Sequence, residues 1–296
     1  MIVLVGPTAT GKTRLALELA ERLGGGEIVS ADSRAVYRWM DIATAKPTPA
    51  ERARVPHHLL DVVDPDEAYS LADYQRQALA AIARIEARGR TPLVVGGAGL
   101  YISAVCDGLS LPDVAPDGAF RAAMEARARE EGWQALQRDL AQVDPQSARR
   151  IDPKNVRRVI RALEVHRATG RPFSSFQTAL PLVACHLVGL WLERSVLFER
   201  IDRRIDQWLA GGLLNEVRAL LERGYSPSLP SMSGIGYREM ASVIREERGL
   251  EQAVAAFKLA SHQYAKRQVT WFRRDTRIRW LQADSATADA VLRGLD

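Results

Sequence analysis

Apolar positions in this chain fall into short continuous runs and longer helical stripes, and the two alternate over the first hundred residues. Ile2-Val3-Leu4-Val5, Glu27-Ile28-Val29-Ser30 and Leu93-Val94-Val95 are too short for helices, which predicts strands near 2–5, 27–30 and 92–95. Between the last two, Ser70-Leu71-Ala72-Asp73 has the S-x-x-D form of a capping box and opens an amphipathic run ending near Gly89. Strands alternating with helices read as β-α units and a mostly parallel sheet. From Leu111 to about Pro181 the strand signals vanish, and residues 117–131, 134–142 and 153–169 carry arginine-rich helical patterns. Val183 to Leu190 returns to a buried-strand pattern. Long helices are expected at about 195–223 and 250–274, then a short strand at Arg277 to Leu281 and a terminal helix. The organisation expected is an α/β core begun by 1–110, an all-helical insertion over 111–181, and the rest of the core with C-terminal helices over 182–296.

Composition narrows the class without choosing a function. With 296 residues, 47% hydrophobic and 26% charged, the chain is neither collagenous, disordered nor a disulfide-stapled miniature. No apolar run approaches the roughly 20 residues of a spanning helix. The first strand leads straight into a glycine loop with no basic leader or cleavage site, so a cytoplasmic protein without a membrane partner is expected, and a monomer. Cys106 and Cys185 lie in apolar surroundings and are expected as buried, reduced thiols. His57, His58, His166 and His186 show no zinc-ligand spacing with Cys185.

The net charge of +5 is modest but unevenly placed. Residues 144–171 hold Arg149, Arg150, Lys154, Arg157, Arg158, Arg161, Arg167 and Arg171 against Asp144, Asp152 and Glu164. Residues 266–279 hold Lys266, Arg267, Arg273, Arg274, Arg277 and Arg279 against Asp275 alone. Two basic patches on an otherwise acidic body fit a polyanionic partner or, equally, two solvated helix faces. Trp271, Phe272 and Trp280 add either stacking surfaces or core to the second patch.

Gly6-Pro7-Thr8-Ala9-Thr10-Gly11-Lys12-Thr13 fits G-x-x-x-x-G-K-[ST], with a strand before it and an amphipathic helix after it. Backbone N–H groups at such a helix N-terminus converge on phosphate oxygens, Lys12 adds charge, and the Thr13 hydroxyl can bind Mg²⁺. The expected core is therefore P-loop NTPase-like. An NTPase would add a strand ending in a metal-binding Asp, but Leu93-Val94-Val95 ends in Gly96-Gly97. The acidic candidate is Asp32, after the second strand, where it could cap a helix, bind metal through water or accept a proton. A small-molecule kinase using ATP shares the loop and remains the alternative, as does a non-catalytic RNA-binding protein with a regulatory nucleotide site.

With Ala31-Asp32-Ser33, Val36-Tyr37-Arg38, Met40-Asp41-Ile42, Thr44-Ala45-Lys46-Pro47, Pro56-His57-His58, Leu100-Tyr101, Arg161 to Val165, Gly234 to Arg238 and Lys266 to Arg273 added to that loop and to Gly96-Gly97, the sequence resembles the tRNA dimethylallyltransferases. These landmarks run in order along nearly the whole chain. The resemblance implies Mg²⁺-dependent transfer of a dimethylallyl group from dimethylallyl diphosphate to N6 of the adenosine 3′ of the anticodon, within a tRNA anticodon stem-loop.

By family position Gly6, Thr8, Ala9, Thr10, Gly11, Lys12, Thr13 and Arg204 would hold the diphosphate, with Thr13 on the metal. Asp32 would be the general base, with Thr8 and Arg204 also catalytic; Arg200, one turn from Arg204, keeps the reading of a solvated helix face. Contacts to tRNA would fall to Asp32, Ser33, Arg34, Ala35, Ala98, Arg121, Arg157, Arg158, Arg161, Gly234, Gly236, Tyr237, Arg238, Lys266, Arg267, Gln268, Trp271 and Arg273. This chain has Ala35, Ala98 and Ala43 where the family often has Gln, Thr and Gly, which alters individual polar contacts to the target base or its neighbours.

Overall fold

Successive side chains of a strand point to opposite faces, and the first strand shows what that does here. Ile2 and Leu4 enter one apolar core and Val3 and Val5 another, so the strand is buried on both sides. The computed structural model describes residues 1–176 and 184–294. In chain order the first segment forms β1 (Ile2–Val5), α1 (Lys12–Arg22), β2 (Gly26–Ala31), α2 (Pro49–Arg54), β3 (His57–His58), α3 (Leu71–Ala87), β4 (Thr91–Gly96) and α4 (Gly99–Cys106). The middle segment is helical: α5 (Gly118–Glu130), α6 (Trp133–Val143), α7 (Pro145–Arg150) and α8 (Val156–Thr169). The last contains β5 (His186–Trp191), α9 (Arg194–Ala210), α10 (Leu213–Glu222), α11 (Tyr237–Ile244), α12 (Leu250–Phe272), β6 (Arg279–Gln282) and α13 (Ala288–Leu292).

Two compact units result, one of residues 1–106 with the described residues from 184 onward, the other beginning at Asp107. In the first unit six parallel strands run in the order β3-β2-β4-β1-β5-β6. Leu15 and Leu19 of α1 cover one face of the sheet, with Phe257 of α12 in the same core. Ile82 and Ile85 of α3, Tyr101 of α4 and Phe272 cover the other. Val5 and Ala31 both pair with Gly96, so β1, β2 and β4 end level and the loops that follow them open onto one crevice. In the second unit Leu136, Leu140, Val159, Ile160 and Leu163 form a separate helical core.

Local chemistry sets several boundaries. Ser70 Oγ accepts the Asp73 N–H at 3.1 Å while the Asp73 carboxylate accepts the Ser70 N–H at 3.1 Å, which completes the predicted capping box and starts α3. The single helix expected over 195–223 is two, because Gly212 adopts φ 99° and breaks the ladder between α9 and α10. The expected strand at 277–281 is shifted to Arg279–Gln282. The short elements α2, β3, α4, α7 and α11 carried no periodicity long enough to be predicted. The expected end of the insertion at 181 and the first residue of the strand expected from Val183 lie outside the described residues. Cys106 is buried, Cys185 is half-buried, and neither forms a disulfide. Among the described residues no helix is long and apolar enough to cross a membrane.

Candidate active site

The site starts where β1 stops. Gly6 has φ 141°, and a Cβ there would lie 2.6 Å from Leu190 O, so the turn out of β1 passes the neighbouring strand too closely for a side chain. The loop closes on itself as Thr10 Oγ1 donates to Pro7 O at 2.8 Å. Gly11, at φ 81°, delivers the chain into α1, whose first turn holds no acidic residue to oppose its positive end. Lys12 curls back over the loop and donates to Gly6 O at 3.0 Å and Pro7 O at 2.7 Å. Burial and the neighbouring Arg204 charge push its pKa down to about 7, against the pull of Asp32. Thr13 stands exposed in the first turn.

A cavity of about 830 Å³ gathers this loop with the other two. Thr8, Ala9, Gly11, Lys12, Thr13, Asp32, Ser33, Arg34, Ala35, Gly96, Gly97 and Arg204 all line it. Asp32 follows β2 directly, and its Oδ1 accepts the N–H groups of Arg34 at 2.8 Å and Ala35 at 3.3 Å. That turn fixes the carboxylate, while no hydrogen bond from a described residue reaches its Oδ2. Arg204 presents a guanidinium whose pKa is lowered by burial, 5.9 Å from the centre of the Trp208 ring, and no carboxylate among the described residues pairs with it. Arg200, one turn earlier on the same helix, is instead ion-paired with Asp284. The structure thus separates two arginines that sequence spacing alone leaves equivalent.

The residues assigned to RNA by resemblance fall into distinct environments. Arg238, Arg267 and Gln268 line the same cavity. Arg34 is spent on the protein, donating to Pro230 O at 2.6 Å and to Ser233 Oγ at 3.3 Å. The Ala35 side chain is buried, as are Gly234, Gly236 and Tyr237, whose hydroxyl donates to Glu216 at 2.7 Å. Arg238 is held by Glu239, which also accepts the Gly236 N–H at 2.7 Å. Ala98 is half-buried, its N–H donating to Ala31 O at 3.2 Å. Lys266, Arg267 and Arg273 are exposed on α12 or at its end, and Trp271, 41% exposed, lies against Gly99, where any Cβ would collide with the indole. In the helical unit Arg157 and Arg158 are exposed. Arg121 and Arg161 both pair with Glu164, which is 2% exposed.

Two contributors escaped sequence reasoning. Tyr264 lines the cavity one turn before Gln268, and burial pushes its pKa up. The Lys46 ammonium, 1% exposed, donates to Tyr37 O, Asp41 Oδ1 and Asp61 Oδ1, each at 2.6 Å, and so ties down the segment after β2 that carries Asp32. The Thr44-Ala45-Lys46-Pro47 motif marked the residue without giving its use.

For a metal, the described residues offer no group of three His, Cys, Asp or Glu. They offer the Thr13 hydroxyl and the Asp32 carboxylate, both lining the same cavity. That sparse oxygen set fits Mg²⁺, which keeps waters and takes most protein-site ligands from a bound phosphate chain rather than from a carboxylate cage.

A parallel α/β sheet with a lysine-bearing phosphate-loop sequence at its carboxyl edge, and a half-buried arginine and a carboxylate lining the same cavity, defines a protein of the phosphate-loop class. The chain belongs to the IPP transferase family, whose description matches residues 35–275. It is 55% identical to a tRNA dimethylallyltransferase of Roseiflexus castenholzii over 99% of this chain and 97% of that one. Among solved structures it is similar to a tRNA isopentenylpyrophosphate transferase of Bacillus halodurans, with 42% identity, a TM-score of 0.72, and 99% and 93% of the two chains covered. It is also similar to a eukaryotic dimethylallyltransferase acting on tRNA, with 29% identity, a TM-score of 0.81, and 96% and 73% of the two chains covered.

Proposed function

We propose that this chain transfers a dimethylallyl group from dimethylallyl diphosphate to the exocyclic N6 of the adenosine 3′ of the anticodon in tRNA, giving N6-dimethylallyladenosine and diphosphate. The observation that carries the reading is the single cavity in which the phosphate loop and Arg204 stand with Asp32. As the allylic C–O bond breaks, charge grows on the departing diphosphate. The N–H groups at the start of α1 and the Arg204 guanidinium stabilise that charge from positions fixed by the fold, and Lys12 adds its own once the diphosphate draws a proton to it. The adenine amino group is a poor nucleophile because its lone pair is delocalised into the ring, so a carboxylate must take its proton as the C–N bond forms. Asp32 has the oxygen for this, since Oδ1 holds the turn and Oδ2 is unengaged by described residues.

Thr13 would hold Mg²⁺, which when bound supplies further neutralisation of the diphosphate. A stacked adenine could not reach a recessed carboxylate, so a base in a single-stranded loop, the least costly to extrude, is the fitting substrate. The relatives named for tRNA support that choice.

The test is to incubate the protein with Mg²⁺, dimethylallyl diphosphate and bulk tRNA, digest the RNA and weigh its nucleosides. Adenosine heavier by one prenyl unit is expected. Unmodified nucleosides, with ATP consumed in the absence of RNA, would point to a kinase instead.

A further inference from the structure

The Gln268 side chain joins two of the three loops that follow β1, β2 and β4 at the sheet's carboxyl edge. Its Oε1 accepts the Thr8 N–H at 2.9 Å, and its Nε2 donates to Gly97 O at 3.0 Å. The residue is 6% exposed, although Lys266, Arg267 and Trp271 around it on α12 face solvent. A carboxamide offers an acceptor and a donor from one planar uncharged group, which matches a free N–H on one side and a free carbonyl on the other. The fit is two-sided: a Cβ at Gly97 would collide with Gln268 Nε2, so the glycine and the glutamine are matched.

The phosphate loop has reason to need an outside hold. Ala9, beside Thr8, sits at φ 65°, a left-handed conformation that strains a non-glycine residue and persists only where surroundings enforce it. A loop N–H is ordinarily offered to the bound anion. The Thr8 N–H is taken by the protein instead, which fixes the plane of the Pro7–Thr8 peptide.

We infer that Gln268 is a positioning residue for the phosphate loop. Through Thr8 it sets the loop's conformation, and through Gly97 it anchors the loop to the end of β4, so that the remaining N–H groups are aimed at a diphosphate before one binds. The inference deepens the prenyl-transfer reading and rests on it. It also removes Gln268 from the RNA contacts that its neighbours on α12 suggested.

The test uses the 296-residue chain with Gln268→Met, which keeps the bulk and loses both hydrogen bonds, and independently Gly97→Ala, which displaces the amide. Affinity for inorganic pyrophosphate with Mg²⁺ is measured by calorimetry, affinity for an anticodon stem-loop RNA by fluorescence anisotropy, and KM for the prenyl donor by steady-state kinetics. Losing two ordinary hydrogen bonds corresponds to roughly fivefold to 150-fold in affinity. Both variants should therefore bind pyrophosphate and donor at least about fivefold more weakly while RNA affinity stays within about twofold. Combined, they should lose little more than either alone, because they remove the same contact.

Pyrophosphate binding at the wild-type level in Q268M would overturn the inference, as would a loss confined to RNA binding. Should Q268M fail to fold by circular dichroism, G97A decides by the same two readings. Wild-type protein that binds pyrophosphate but never prenylates adenosine defeats the proposed function, while the ratio of variant to wild-type pyrophosphate affinity still decides the role of Gln268.

Discussion

Arg121 lays Nε and Nη2 against the two oxygens of the Glu164 carboxylate, each at 2.8 Å, and Arg161 Nη1 joins the second oxygen at 2.6 Å. One buried anion thus holds two candidate RNA-binding guanidinium groups, and the Asp117 N–H at the start of α5 as well. Burial opposes the charge, but the arginines overcome it and hold Glu164 down at about 2. Glu164→Gln should destabilise the helical unit by about 2 kcal/mol, below the roughly 3–5 kcal/mol of a fully buried broken pair because both arginines are about a third exposed. A depressed carboxylate stabilises above its unfolded pKa and loses that contribution as pH falls toward its folded one. The gap between wild type and E164Q in thermal unfolding should therefore close between about pH 4.5 and 2; a gap independent of pH would refute it.

Asp32→Asn keeps the turn acceptor at Oδ1 and removes the base. Transfer to tRNA should slow at least about a hundredfold, with pyrophosphate and RNA affinity nearly unchanged. Equal single-turnover rates for the two proteins would exclude Asp32 as the base.

Lys12 gives a proton signature. With its pKa at about 7 in place of 10.5, it is mostly neutral at pH 8, and a bound diphosphate restores its charge. Calorimetry of pyrophosphate binding at pH 8, in buffers of different ionisation heat, should show proton uptake that Lys12→Met abolishes. The same depression means the unfolded chain holds a proton there that the folded chain lacks between about pH 7 and 10.5, so this residue adds stability as pH rises through that window.

Arg157 and Arg158 are exposed at the start of α8. Replacing both by Ala should weaken tRNA binding and make the slope of log K against log salt shallower by about 1–2, since each neutralised phosphate releases counterions. An unchanged slope would take this helix off the RNA surface.

The strands β1, β2 and β4, the capping box of α3 and the strand–loop–helix around Lys12 were legible in the chain, because each rests on residues within a few positions of one another. The glycine pair at 211–212 was equally visible, yet its effect was not, since a glycine permits a helix break without requiring one and packing decides. The roles of arginines one turn apart depended on Asp284, 84 positions from Arg200. Gln268 was read with its basic neighbours on α12, although its partners are Thr8 and Gly97, 260 and 171 positions away. Local pattern thus determined where the phosphate-loop motif lies and which carboxylate follows the second strand. Only tertiary structure decided which polar side chains turn inward beside that loop, because that depends on partners brought together by the parallel sheet and on the cost of burying an amide or a charge without one.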